Sequence, residues 1–60
     1  MPVIEIKWFR GRSKEQKAKL VSGLFKLFEE NGVKKQDIHI LFFDVDKSDW
    51  AANGKMASEQ

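Results

Sequence analysis

Ile38-His39-Ile40-Leu41-Phe42-Phe43-Asp44-Val45, residues 38–45, is nearly continuous in apolar, β-branched and aromatic side chains. Such a run reads as a strand, and successive side chains of a strand point to opposite faces of its sheet. Both faces of this one are apolar, so it needs cover on two sides. Before it, Lys34-Lys35-Gln36 forms a short polar connection. Further back, Leu20, Val21, Leu24, Leu27 and Phe28 recur at three- and four-residue steps opposite Lys19, Ser22, Lys26 and Glu29. That spacing predicts an amphipathic helix with one face meant for a sheet. Ser13-Lys14-Glu15-Gln16 fits a capping box at its start. Asn31-Gly32 fits its end, because Gly enters the left-handed region without a Cβ penalty. The helix is predicted over roughly residues 14 to 31.

At the start of the chain, Val3-Ile4-Glu5-Ile6-Lys7-Trp8-Phe9 puts Ile4, Ile6 and Trp8 on one face and the charged Glu5 and Lys7 on the other, a second strand signature. A strand, a helix of about 27 Å and another strand make a right-handed β-α-β crossover with parallel strands, an α/β (α+β) fold. The one helix covers a single face of the sheet, and two strands are too few for a stable one. A second subunit is therefore expected, the two together forming a four-stranded sheet. In the tail, Asp46-Lys47-Ser48-Asp49 reads as a turn and Trp50-Ala51-Ala52-Asn53-Gly54-Lys55 as a small hairpin. Trp50, large and aromatic in a polar segment, is expected to pack on a neighbour or line a pocket.

Sixty residues with 42% hydrophobic and 33% charged content describe one domain over residues 1–60, which excludes multidomain readings. At this size a single core is marginal. Cysteine is absent and histidine occurs once, so neither a disulfide nor a structural zinc is expected, and self-association is the remaining staple. A net charge of +2 is no electrostatic footprint for nucleic acid. No stretch approaches the ~18 apolar residues of a membrane span, and Met1-Pro2-Val3-Ile4-Glu5 lacks the build of a signal peptide, so no membrane partner and a cytoplasmic location are expected.

The chain has no triad, metal cluster or Gly-rich phosphate loop. What it does have is Pro2 immediately after the initiator Met and immediately before a strand. Removal of Met1 would leave a secondary amine. In water such an amine titrates somewhat above the ~7.7–8.0 of an ordinary α-amino group; desolvation and nearby arginines disfavour the cation and bring it towards neutrality, where a general base works best.

Pro2, the strand 3–9, Gly11-Arg12-Ser13, Glu15-Gln16-Lys17 and the tail Trp50 to Gly54 together resemble the 4-oxalocrotonate tautomerase family over nearly the whole chain. The resemblance implies a tautomerase subunit that pairs into dimers and assembles three dimers into a hexamer. It implies cofactor-independent keto–enol tautomerisation of a small-molecule carboxylate, a 2-hydroxydienoate or an arylpyruvate-like acid, with Pro2 as general base. Arg12 matches the arginine that holds a substrate carboxylate, a role suited to its planar fork of N–H donors. The family's second arginine, which reaches a neighbouring subunit's site, falls on His39 when the connection before the second strand is one residue shorter. A neutral imidazole donates one hydrogen bond and carries no permanent charge, so enolate stabilisation should weaken. Trp50 matches the aromatic that lowers polarity around the proline, and Asn53 stands where Gly is usual but tolerates positive φ.

Three other readings stay open. One is a non-catalytic oligomeric module, favoured by His39 and by any retention of Met1, which would leave an amide without basicity at Pro2. Another is a dehalogenase or decarboxylase of the same superfamily, for which no water-activating acid stands out. The last is nucleic-acid binding through Lys, Arg and exposed Trp8 or Phe9.

Overall fold

The computed structural model describes residues 2–60, so Met1 and the question of its removal lie outside the described residues. Strand β1 runs Val3–Phe9, helix α1 Lys14–Glu30 and strand β2 His39–Val45. β1 and β2 pair in parallel with no stagger, Val3 opposite His39 through Phe9 opposite Val45. The ladder continues past both ends, where His39 N–H donates to Pro2 C=O at 3.1 Å and Arg10 N–H to Val45 C=O at 3.0 Å.

The helix begins as its sequence predicts. Gln16 N–H donates to Ser13 Oγ at 3.1 Å, and Ser13 N–H donates to Gln16 Oε1 at 2.9 Å, closing the capping box. It ends in a Schellman motif: Gly32, at φ 85°, donates to Glu29 C=O, and Val33 donates back to Phe28 C=O. The polar connection that follows is a single 3₁₀ turn, Lys35–Asp37, which leads into Ile38, one of two buried apolar residues among the described residues. The second strand starts one residue later than the apolar run, because Ile38 N–H is spent on Lys35 C=O in that turn.

The tail is a two-residue hairpin. Ala51–Ala52 (β3) and Lys55–Met56 (β4) pair antiparallel. Between them Asn53 and Gly54 both take positive φ, 56° and 78°, as the tight turn that matches strand twist requires. Ala57, the other buried residue, donates to Trp50 C=O at 2.7 Å.

The helix stripe is wider than the platform beneath it. Val21, Leu24, Phe25 and Phe28 are half-buried, whereas Leu20 and Leu27, expected on the sheet-facing side, are 37% and 54% exposed. At 100° per residue these two leucines sit on one flank of the stripe, beyond the reach of a two-stranded sheet. The opposite sheet face is also uncovered: Val3, Leu41 and Phe43 are 54%, 45% and 41% exposed. The chain has a radius of gyration of 14.6 Å, where a compact domain of this length would have about 10 Å. It exposes 4845 Å², where a compact monomer of 7.0 kDa would expose about 4,000 Å². A chain this open leaves apolar surface uncovered on the sheet face away from the helix.

Candidate active site

Parallel pairing without stagger gives the subunit two chemically different ends. Pro2 is half-buried one residue ahead of β1, and its carbonyl is tied to the first N–H of β2, which belongs to His39. His39 itself is exposed. Pro2 and His39 are thus neighbours at the start of the sheet. The last turn of α1 returns towards this end and borders a shallow apolar depression of about 210 Å³ lined by Leu27, Phe28 and Asn31. The Asn31 amide is already committed to Leu27 C=O at 2.8 Å.

Arg12 and Trp50 belong to the far end, about 23 Å away by seven residues of strand at about 3.3 Å each. Gly11, at φ 126°, turns the chain just past β1, a conformation closed to most residues, and Arg12 comes back over the indole of Trp8 with Cζ 5.1 Å from the ring centroid. Trp50 packs instead on Phe9, ring centroids 4.7 Å apart and tilted by 59°. Trp8 and Phe9 are consecutive on a strand and point to opposite faces. Arg12 is therefore on the helix side and Trp50 on the open side. One chain brings Pro2 to His39 and sets Arg12 and Trp50 at the other end; it does not bring the two pairs together.

The structure adds a polar cluster beside Arg12 that the expectations above do not contain. Asp44, opposite Trp8 in the register, accepts from Trp8 Nε1 at 2.6 Å and from Lys17 Nζ at 2.5 Å. The indole also stacks on Phe42, centroids 5.2 Å apart at 23°. A signal was available, since Lys17 lies on the apolar stripe of the helix and Asp44 is the one acidic residue in an otherwise largely apolar strand. Two lone charges on facing apolar surfaces point to a pair. Lys17 and then the Trp8 N–H hold the Asp44 carboxyl below the usual carboxylate range, against the smaller opposing effect of desolvation.

A lowered folded-state value stabilises the fold above the ordinary carboxylate pKa, and that contribution is lost as pH falls through the depressed value. Asp44→Asn should therefore lower the melting temperature at neutral pH. The gap to the wild type should close as pH is taken from about 5 to about 2; a gap that stays constant with pH would mean Asp44 is not charged in the folded chain.

Arg10 is separately committed, with Nε 2.7 Å from Asp46 Oδ1 in an exposed pair. Trp8 and Phe9 are half-buried, packed on Phe42 and Trp50 respectively. No helix among the described residues is long and apolar enough to cross a membrane.

Comparison with known proteins bears on this arrangement. Residues 2–60 match a family model described as tautomerase enzyme. A probable tautomerase of Staphylococcus epidermidis is 34% identical over 61 aligned positions, covering all of both chains. One from Ralstonia nicotianae is 31% identical over 61, covering all of this chain and 94% of the other. The crystal structure of YwhB, a homologue of 4-oxalocrotonate tautomerase, superposes with a TM-score of 0.89 at 28% identity, over 98% of each chain.

Proposed function

The chain belongs to the tautomerase enzyme family, and from that premise we propose that it catalyses cofactor-independent keto–enol tautomerisation of a 2-hydroxydienoate or arylpyruvate-type acid. The base is the amine of Pro2 after Met1 is removed. It takes the proton of the enol hydroxyl, and the resulting ammonium returns a proton to the carbon end of the conjugated system. The product is the ketone, and no atom is gained or lost. The observation that carries this reading is the tether of Pro2: its carbonyl is fixed by His39 N–H at the head of the sheet, so its ring nitrogen is held by a rigid element.

Arg12 holds the substrate carboxylate, because its guanidinium rests on an aromatic face and has no carboxylate partner among the described residues. His39 donates one hydrogen bond to the developing enolate oxygen, and Trp50 lowers the polarity around the amine. Assembly belongs to the same proposal. Pro2 and Arg12 are too far apart to meet in one chain, so the complete site takes Pro2 from one subunit and the Arg12–Trp50 end from another, with the exposed His39 side chain reaching in from a neighbouring subunit. Exposed Val3, Leu41 and Phe43 supply the apolar surface for dimers, three of which form a hexamer. A single imidazole where a second arginine would serve favours a monoacid substrate over a dicarboxylate.

The test is ketonisation of phenylenolpyruvate, followed by ultraviolet absorbance, with protein shown by intact mass to lack Met1. Turnover is expected, and Arg12→Ala should raise KM at least tenfold, the loss of a charge-assisted bidentate contact. Sedimentation of that variant should match the wild type. No turnover by Met-free protein would move the assignment to a non-catalytic assembly, and dissociation of Arg12→Ala would make Arg12 a structural residue.

A further inference from the structure

Four basic side chains, Arg10, Arg12, Lys17 and Lys47, stand at the far end of the sheet, and among the described residues only Arg10 and Lys17 have an acidic partner; Lys47 lies over Phe9 on the open face. Arg10 takes Asp46 and Lys17 takes Asp44. Arg12, two residues from the first and five from the second, pairs with neither carboxylate. It lies over Trp8 instead. A guanidinium on an aromatic face is held without using its in-plane N–H donors, which stay available to a planar acceptor.

The ring that holds it is itself held. The Trp8 Nε1–H is fixed on Asp44 Oδ1, and the ring stacks on Phe42. Lys17 occupies the other Asp44 oxygen and lies 5.6 Å from the Phe42 centroid. The Asp44 carboxylate is thereby spoken for on both oxygens. Were Lys17 absent, Asp44 would be open to Arg12 and would compete with any ligand. The cluster therefore does two things at once: it locks the indole and it removes the internal competitor.

We infer that Trp8, locked by Asp44 and Lys17, is a positioning residue that presents the Arg12 guanidinium to a substrate carboxylate. The inference rests on the reading of Arg12 as the carboxylate anchor. Its consequence is that Trp8 acts on binding through Arg12 and not on the proton transfer.

Two readouts test it, the Kd of the non-reacting monoacid cinnamate by titration calorimetry and the KM and kcat for phenylenolpyruvate, both on the Met-free assembled protein. Trp8→Leu should weaken cinnamate binding and raise KM by about fivefold, the scale of one cation–π contact, with kcat changed less than about twofold. Trp8→Phe keeps a ring face but loses the N–H that fixes it on Asp44, and should recover only part of the loss. In an Arg12→Ala background Trp8→Leu should cost nothing further, because the residue it acts through is gone. An unchanged Kd in Trp8→Leu, or an undiminished loss in the Arg12→Ala background, overturns the inference while the anchor reading stands. If Arg12→Ala itself binds cinnamate as the wild type does, the anchor reading fails, and the inference with it. Should Trp8→Leu not assemble, Trp8→Met, closer in length and equally without a ring, carries the same comparison.

Discussion

Replacing Pro2 with alanine in protein freed of Met1 is expected to lower the rate of phenylenolpyruvate ketonisation at least tenfold without altering the assembly. The variant keeps a terminal amine, so basicity alone does not disappear. What it loses is the ring, which blocks rotation about the N–Cα bond and so fixes the direction of the amine's lone pair at the head of β1. General-base catalysis typically contributes about 10²–10⁴-fold and depends on the base lying within hydrogen-bond reach of its proton. A flexible primary amine retains part of that and forfeits the rest. Protein that keeps Met1 should be slower still, at the uncatalysed rate, because its Pro2 nitrogen is a tertiary amide with no proton affinity near neutral pH. Absorbance assays on the three forms give the ordering, and the rising limb of the wild-type pH–rate profile reports the amine. Equal rates for the wild type and Pro2→Ala, both free of Met1, would assign the proton transfer to another group.

Phe43→Asp is expected to convert the assembly to monomers and abolish turnover together. Phe43 is 41% exposed on the sheet face away from the helix, beside Leu41 at 45%. Covering a phenylalanine is worth about 1.5–3 kcal/mol, and placing a carboxylate in the same dry contact adds a desolvation cost. A weakening of association by more than about a hundredfold follows. Aspartate is the suitable probe because Lys7 is the strand partner of Phe43 and lies over its ring. Lys7 offers the new carboxylate a counter-ion, so the sheet of the isolated subunit is spared. Turnover should vanish with the oligomer because Pro2 and Arg12 lie at opposite ends of a seven-residue strand. Analytical ultracentrifugation and the ketonisation assay, run on one sample, decide the matter. A fully active monomer would place the whole site in one chain, and an intact oligomer would move the interface to another face.

Much of this molecule can be read before folding. The Ser13–Gln16 capping box and the Asn31-Gly32 stop bound the helix to within a residue, because caps are local chemistry in which backbone groups are satisfied by neighbours three or four positions away. Asn53-Gly54 likewise makes its hairpin from two residues that both accept positive φ. Ile4, Ile6 and Trp8 share the half-buried side of β1, since strand period alone assigns faces. Leu20 and Leu27 are harder: helical periodicity puts them in the apolar stripe, but whether that flank of it is covered depends on how wide the opposing sheet is.

The order strand, helix, strand and hairpin is written in the amino acids, and with it the family, because each element is specified by side chains close together along the chain. Residue chemistry singles out Pro2, and the family resemblance adds Arg12, His39 and Trp50 as the candidates to serve an enolisable acid. How those four are distributed is a matter of folding. Parallel pairing with Val3 opposite His39 sets Pro2 beside His39 and sends Arg12 and Trp50 to the other end, on opposite faces of the sheet. The Trp8, Asp44 and Lys17 cluster is tertiary for the same reason: its members come from β1, β2 and α1, up to 36 residues apart. Their meeting is governed by strand register and helix docking, which depend on long-range packing and not on local propensity.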